Sequence, residues 1–179
     1  MSTAPLHSLV VLLQEMRTLI DRLDDVEYAM PAPGRSAGGI GGHVRHCLDH
    51  VRALLVATDT GLCAYDRRAR RTAIETDRAA AMRATYELIV AVDQLDPSVL
   101  EHDVLVETQI DHDGTMITTR SSVGRELMFV MSHTTHHNAI VAHLLRARGV
   151  GTDSRFGLAP ATPADGPPKD GPHVMTCAR

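Results

Sequence analysis

The chain has no tryptophan, and only two phenylalanines and three tyrosines among 179 residues. Its core must therefore be assembled from Leu, Val, Ile, Met and Ala, a set that favours packed helices over a β-sandwich. Cysteine is scarce too. Cys47, Cys63 and Cys177 are an odd number with no paired spacing, which argues against a disulfide framework and for a reducing compartment. There is no excess of positive charge. With a net charge of -4, a broad electrostatic footprint for nucleic acid is not expected. The one basic run, Arg67, Arg68, Arg70 and Arg71, lacks the interleaved aromatics of a single-strand stacking platform. No apolar run approaches the length of a membrane span. The N-terminus has no basic leader before its apolar residues, and Glu15 and Asp21 follow soon after. It reads as the start of an amphipathic helix and not as a signal peptide, so a cytoplasmic location is expected. HExxH, CxxC, an EF-hand loop, GxSxG, a Walker loop and GxGxxG are all missing, which removes the commonest zinc-protease, calcium, hydrolase and nucleotide signatures.

Periodic apolar residues are abundant. Leu9, Leu12, Leu13, Met16, Leu19, Ile20, Leu23 and Val26 recur at helical spacing and predict one long amphipathic helix over 8–30, ended by Pro31. PAPGRSAGG is a flexible connection. A second helix is predicted over 40–58, with a stripe of Ile40, Val44, Cys47, Leu48, Val51, Leu54 and Leu55. The stretch 61–76 reads as a connection, and a third helix follows over 77–95. In DVLVETQIDHDGTMITTR the period changes to two around Asp113-Gly114, which predicts a short β-hairpin at 103–120. A fourth long helix is predicted over 122–148, capped by Ser121 or Ser122, with Gly149 beyond its end. The remainder is rich in Gly and Pro and reads as a tail. The expected architecture is all-α: a four-helix bundle over 1–150 with a hairpin between its third and fourth helices, then a tail over 151–179.

The distinguishing feature is the chain's 11 histidines and where they cluster. His133 and His137 are four apart on the last helix, hence one turn apart on one face. Val130, Ile140, Val141 and Leu144 surround them, so they are expected to face inward. A buried imidazole needs a partner, and neutral imidazole is a good ligand for zinc, nickel, copper or iron. On the second helix His43, His46 and His50 fall within roughly 60° of each other, at the edge of the apolar stripe. Two inward clusters on two helices point to one divalent ion between them. The alternative is a wet histidine-rich groove bonded to Asp49, Glu126 and water. Tyr65, Asp66, Arg68 and Arg70 form a second cluster, either a grip for a substrate carboxylate or phosphate or a set of ion pairs to Glu75 and Asp77. Glu126 is either a helix-start charge or a group that supports the histidines from behind. Cys47, on the apolar stripe, is expected to be a small core residue.

IGGHVRHCLDHVRALL, YDRRARRTAIETDRAAAM, SSVGRELMFVMSHTTHHNAIVAHLL and FGLAP together resemble the DinB/YfiT-like superfamily over most of the chain. The resemblance implies a four-helix bundle with an up-down-down-up course. It also implies a divalent metal (zinc, nickel or iron) held by one histidine of the second helix and two of the last. On this sequence the ligands are His46, His133 and His137. The helical wheel places His43 and His50 nearer the core than His46, so His43 is the runner-up. His43, His50, His136, Arg68 and Arg70 are then candidates to support the ligands or touch substrate. The better understood members of the superfamily are thiol-dependent S-transferases and isomerases. The implied activity is a metal-dependent transferase or hydrolase that activates a low-molecular-weight thiol or water against a small-molecule substrate. Helical bundles often pair through an exposed helix face, so a homodimer is the expected assembly, and the composition points to neither nucleic acid nor membrane as partner. The competing reading is a non-catalytic metal-binding or interaction module.

Overall fold

In a computed structural model, residues 3–31, 39–67, 69 and 71–162 are described. They form five helices and three strands: α1 (Ala4–Arg22), α2 (Asp25–Ala29), α3 (Ile40–Thr60), β1 (Leu62–Ala64), α4 (Arg78–Asp93), β2 (Asp103–Gln109), β3 (Met116–Ser122) and α5 (Val123–Arg146). Short 3-10 turns at Ala73–Glu75 and Pro97–Glu101 flank α4. The four long helices surround one core, with α1 against α4 and α5, and α3 against α4 and α5. The expected all-α four-helix bundle is nevertheless incorrect. β1 pairs in parallel with β2, and β2 pairs antiparallel with β3, giving a three-stranded mixed sheet. The chain is a mixed α/β protein.

Two local causes account for the departures. The helix expected over 8–30 is divided in two. Leu23 is extended, and Asp24 opens α2 with a capping box: its side chain accepts from the Glu27 amide, while Glu27 accepts from the Asp24 amide. Together these bonds satisfy donors that a continuous helix would have paired itself. The break turns Tyr28 into the core, where its hydroxyl donates to the Ile74 carbonyl at 2.6 Å. The second departure is β1. It has only three residues, too short to show alternation, and it exists because β2 offers it a free edge: Leu62 registers with Leu105 and Ala64 with Glu107.

The hairpin itself stands, in the register Asp103 to Ser122 through Gln109 to Met116. Its turn is longer than an Asp-Gly pair. Ile110 donates to the Thr115 carbonyl, Asp111 accepts from the Asp113 and Thr115 amides, and Gly114 takes φ +91°. Val104 and Val106 point inward and are buried. Ser122 ends β3 and caps α5 by accepting from the Arg125 amide. The residue that closes the sheet therefore also starts the helix carrying the second histidine cluster. The chain beyond α5 returns onto the core, where Phe156 is buried.

Candidate metal centre

Helices α3 and α5 pack side by side, and this contact brings the two histidine clusters together. The start of α3 is held by Gly41, whose missing side chain leaves room for the Glu75 carbonyl; a Cβ there would overlap it. From this anchored turn, His43, His46 and His50 project toward α5. His133 and His137 project back.

The Nε2 atoms of His46 and His133 lie 2.8 Å apart, as do the Nδ1 atoms of His43 and His137. His46, His50 and His133 offer three ring nitrogens within 4.8 Å of one another. A tetrahedral ion with bonds of 2.0–2.1 Å separates its ligand atoms by about 3.3–3.4 Å, so modest ring rotations would fit this set to an ion. His50 is oriented for the task. Its Nδ1 lies 2.9 Å from the His46 carbonyl, which assigns the proton to Nδ1 and leaves Nε2 as the nitrogen able to ligate. The His137 ring is also close, with its centroid 4.6 Å from those of both His46 and His133. Its Nδ1, however, is directed at His43. His136 is exposed and edge-on to His137, outside the group. Arg68 and Arg70 lie outside the described residues. Of their neighbours, Arg67 pairs with Glu107, and Asp66 accepts from the Gln109 amide. Both contacts tie the connection to β2.

Burial, and then the neighbouring histidines that would also be cationic, push the His137 pKa down to about 3. It is therefore neutral at physiological pH, the form in which imidazole binds metal. Burial pushes the Cys47 thiol up to about 12 and the Cys63 thiol up to about 11. Neither cysteine is a thiolate at neutral pH, so neither is a ready nucleophile.

Aromatic rings enclose one side of the cluster. Tyr65 stacks on His50 at 5.0 Å between centroids, His50 on His133 at 4.2 Å, and Phe129 on His133 at 5.5 Å. The Tyr65 hydroxyl donates to Glu126 Oε2 at 2.8 Å, and Ser121 donates to Oε1 at 2.6 Å. On the far side of Tyr65, Glu126 and Phe129 is a cavity of about 380 Å³ beneath the hairpin, lined also by Val106, Thr108 and Ser121. A larger groove, about 520 Å³, runs between α1, α5 and residues 155–162; none of the five clustered histidines lines it. Sequence reasoning did not find the role of Phe129, although its place four residues before His133 was a signal for it. Nothing in the sequence places Tyr65 against His50, because that contact depends on the path of the connection after β1.

No family model matches the chain, and no solved structure matches it. Over 99 residues it is 31% identical to FK506-binding protein 5 of Rhizopus delemar (strain RA 99-880 / ATCC MYA-4621 / FGSC 9543 / NRRL 43880), a stretch covering 55% of this chain and 26% of that protein. The chain thus spans about a quarter of the length of the curated relative it matches.

Proposed function

We propose that this chain is a DinB-like metalloprotein that uses a divalent ion on its α3–α5 histidines to activate a low-molecular-weight thiol or water against a small-molecule substrate. The observation that carries the proposal is the gathering of three imidazole nitrogens, from His46, His50 and His133, within 4.8 Å. His46 and His133 belong both to this set and to the one the family resemblance implies, so they are assigned as ligands. His50 and His137 compete for the third position. Both rings adjoin His133, the first held by the His46 carbonyl and the second by His43.

Three neutral imidazoles leave a coordination position open, as catalytic zinc sites do. Held by His46, His133 and either His50 or His137, a divalent ion would supply the acidification of a water or thiol that yields a nucleophile near neutral pH. The chain's own residues do the rest. Cys47 and Cys63 are held protonated by burial, so neither supplies the thiolate. His46 and His133 are half-buried, which leaves the cluster a way to solvent. The match to the fungal protein covers too little of it to bring that protein's named ligand to this chain.

The test is elemental analysis of protein purified without an affinity metal, with competition against a chromogenic chelator. About one equivalent of divalent metal is expected, abolished by His46→Ala and by His133→Ala. Comparing His50→Ala with His137→Ala assigns the third ligand. Retention of metal by both His46→Ala and His133→Ala would sink the proposal. One observation favours a non-catalytic metal module: the space between His43, His137, Cys47 and Asn138 is too tight for a water molecule. A panel of thiols and electrophiles decides, since a closed module turns over none of them.

A further inference from the structure

A carboxylate buried beside neutral hydroxyls needs a reason. Glu126 is 4% exposed. Its close partners are Tyr65 and Ser121, at 2.8 and 2.6 Å. Among the described residues the cation paired with it is Arg125, at 3.5 Å and with a side chain that is 65% exposed. An ionised group in such a place is costly unless it is hydrogen-bonded or meets positive charge. Phenol and hydroxyl supply the hydrogen bonds, but they supply little positive charge. The Tyr65 ring, whose hydroxyl Glu126 holds, lies nearly parallel to the His50 ring, with 16° between their planes, and His50 in turn stacks on His133. One continuous line thus runs from the Glu126 carboxylate, through the Tyr65 ring and His50, to a proposed ligand.

We infer that Glu126 and Tyr65 act as one positioning unit, which holds the His50–His133 stack in its metal-binding geometry. The inference rests on the metal reading above and deepens it. Glu126 fixes the Tyr65 hydroxyl, and so the tilt of the ring. The ring limits rotation of His50 from one side, while the His46 carbonyl fixes it from the other. Groups that orient metal ligands in this indirect way typically change affinity by about 10–100-fold when removed. Ser121, at the end of β3, completes the unit. The predicted hairpin, joined by β1 into a sheet, thereby contributes directly to the site.

The experiment uses the full chain, stripped of metal and titrated with Co²⁺, whose visible absorption reports ligand geometry. The variants are Tyr65→Phe, Glu126→Gln and the double variant, with far-ultraviolet circular dichroism and thermal unfolding of each metal-free form. Tyr65→Phe keeps the ring and removes only the hydroxyl, so it is the variant least exposed to misfolding. Each single variant is expected to bind Co²⁺ about tenfold or more weakly and to shift its absorption band. The double variant is expected to be no worse than the poorer single, because a unit broken once is already broken. Variants that bind Co²⁺ with wild-type affinity and spectrum overturn the inference, whether or not their thermal stability has fallen, because a lower stability alone would make the pair mere packing. Additive losses in the double variant overturn the claim that the two act as one. If the wild-type chain binds no Co²⁺, the metal reading falls and takes this inference with it. Wild-type binding with indifferent variants removes the inference alone.

Discussion

His137 shows how burial and chemistry meet in one side chain. Its pKa is depressed from an ordinary 6.5 to about 3, first by burial and then by its histidine neighbours. Between those two values the unfolded chain binds a proton at this position and the folded chain does not. Stability contributed by neutral His137 is therefore fully present above about pH 6.5 and is lost as the pH falls toward 3. The metal-free chain is expected to show a urea midpoint that declines steadily from pH 7 to pH 4, and His137→Asn to show a shallower decline because it has no proton to bind. Parallel curves for the two proteins would show that His137 is not the group responsible. Metal binding acts in the same direction, since protons compete with the ion for neutral imidazole. Bound metal is expected to be released below about pH 5, as followed by a chelating dye; a stoichiometry unchanged at pH 4 would argue against an all-histidine site.

At the scale of the element, the start of α3 governs the site. Gly41 packs against the Glu75 backbone with no room for a Cβ, whereas a Cβ on Gly42 would meet nothing within 4 Å. Adjacent glycines thus make opposite predictions. Gly41→Ala must push α3 away from the Ala73–Glu75 turn and is expected to cost about 1–3 kcal/mol, with weaker metal binding because His43 and His46 move with the helix. Gly42→Ala is expected to stabilise by up to about 1 kcal/mol through helix propensity. Denaturant midpoints of the two variants check both signs; equal effects would mean that the contact with Glu75 does not anchor the helix. The other end of the site is governed by Ser122, which closes β3 and caps α5. Ser122→Ala is expected to cost about 1 kcal/mol, read in the same assay.

At the scale of the whole molecule, the hydrophobic core does not depend on the ion. Leu9, Leu13, Ile20, Leu48, Val51, Leu127, Val130 and Leu145 are fully buried and come from three long helices whose apolar stripes face one another. Their burial stabilises the fold at about 25 cal/mol per Å² of apolar surface removed from water, with no part played by the histidines. Chelation is expected to lower the thermal midpoint while leaving the far-ultraviolet helical signal intact. Loss of that signal on chelation would show that the ion is structural and would weaken the enzymatic reading. Among the described residues no helix is long and apolar enough to cross a membrane.

The sequence by itself determined whatever depends on neighbours a few residues apart. Helical periodicity specified α1, α3, α4 and α5 to within a few residues at most ends, and alternation about Asp113-Gly114 specified the hairpin. The four-residue spacing of His133 and His137 placed both rings on one face, because 3.6 residues per turn leaves no other arrangement. The capping box at Asp24 and Glu27 was legible as well, but a continuous apolar stripe masked it. Only the tertiary structure decided what depends on contacts between distant segments. β1 is a strand because β2 lies beside it, not because Leu62, Cys63 and Ala64 require it. His50 stands nearest to His46 and His133 because Tyr65 and the His46 carbonyl orient its ring, an arrangement that a helical wheel cannot show. A wheel gives direction from the helix axis and nothing of ring rotation, and metal binding depends on where a nitrogen points. Glu126 is separated from Tyr65 by 61 residues. Their hydrogen bond follows from the sheet carrying the connection back over α5, and no local pattern encodes it.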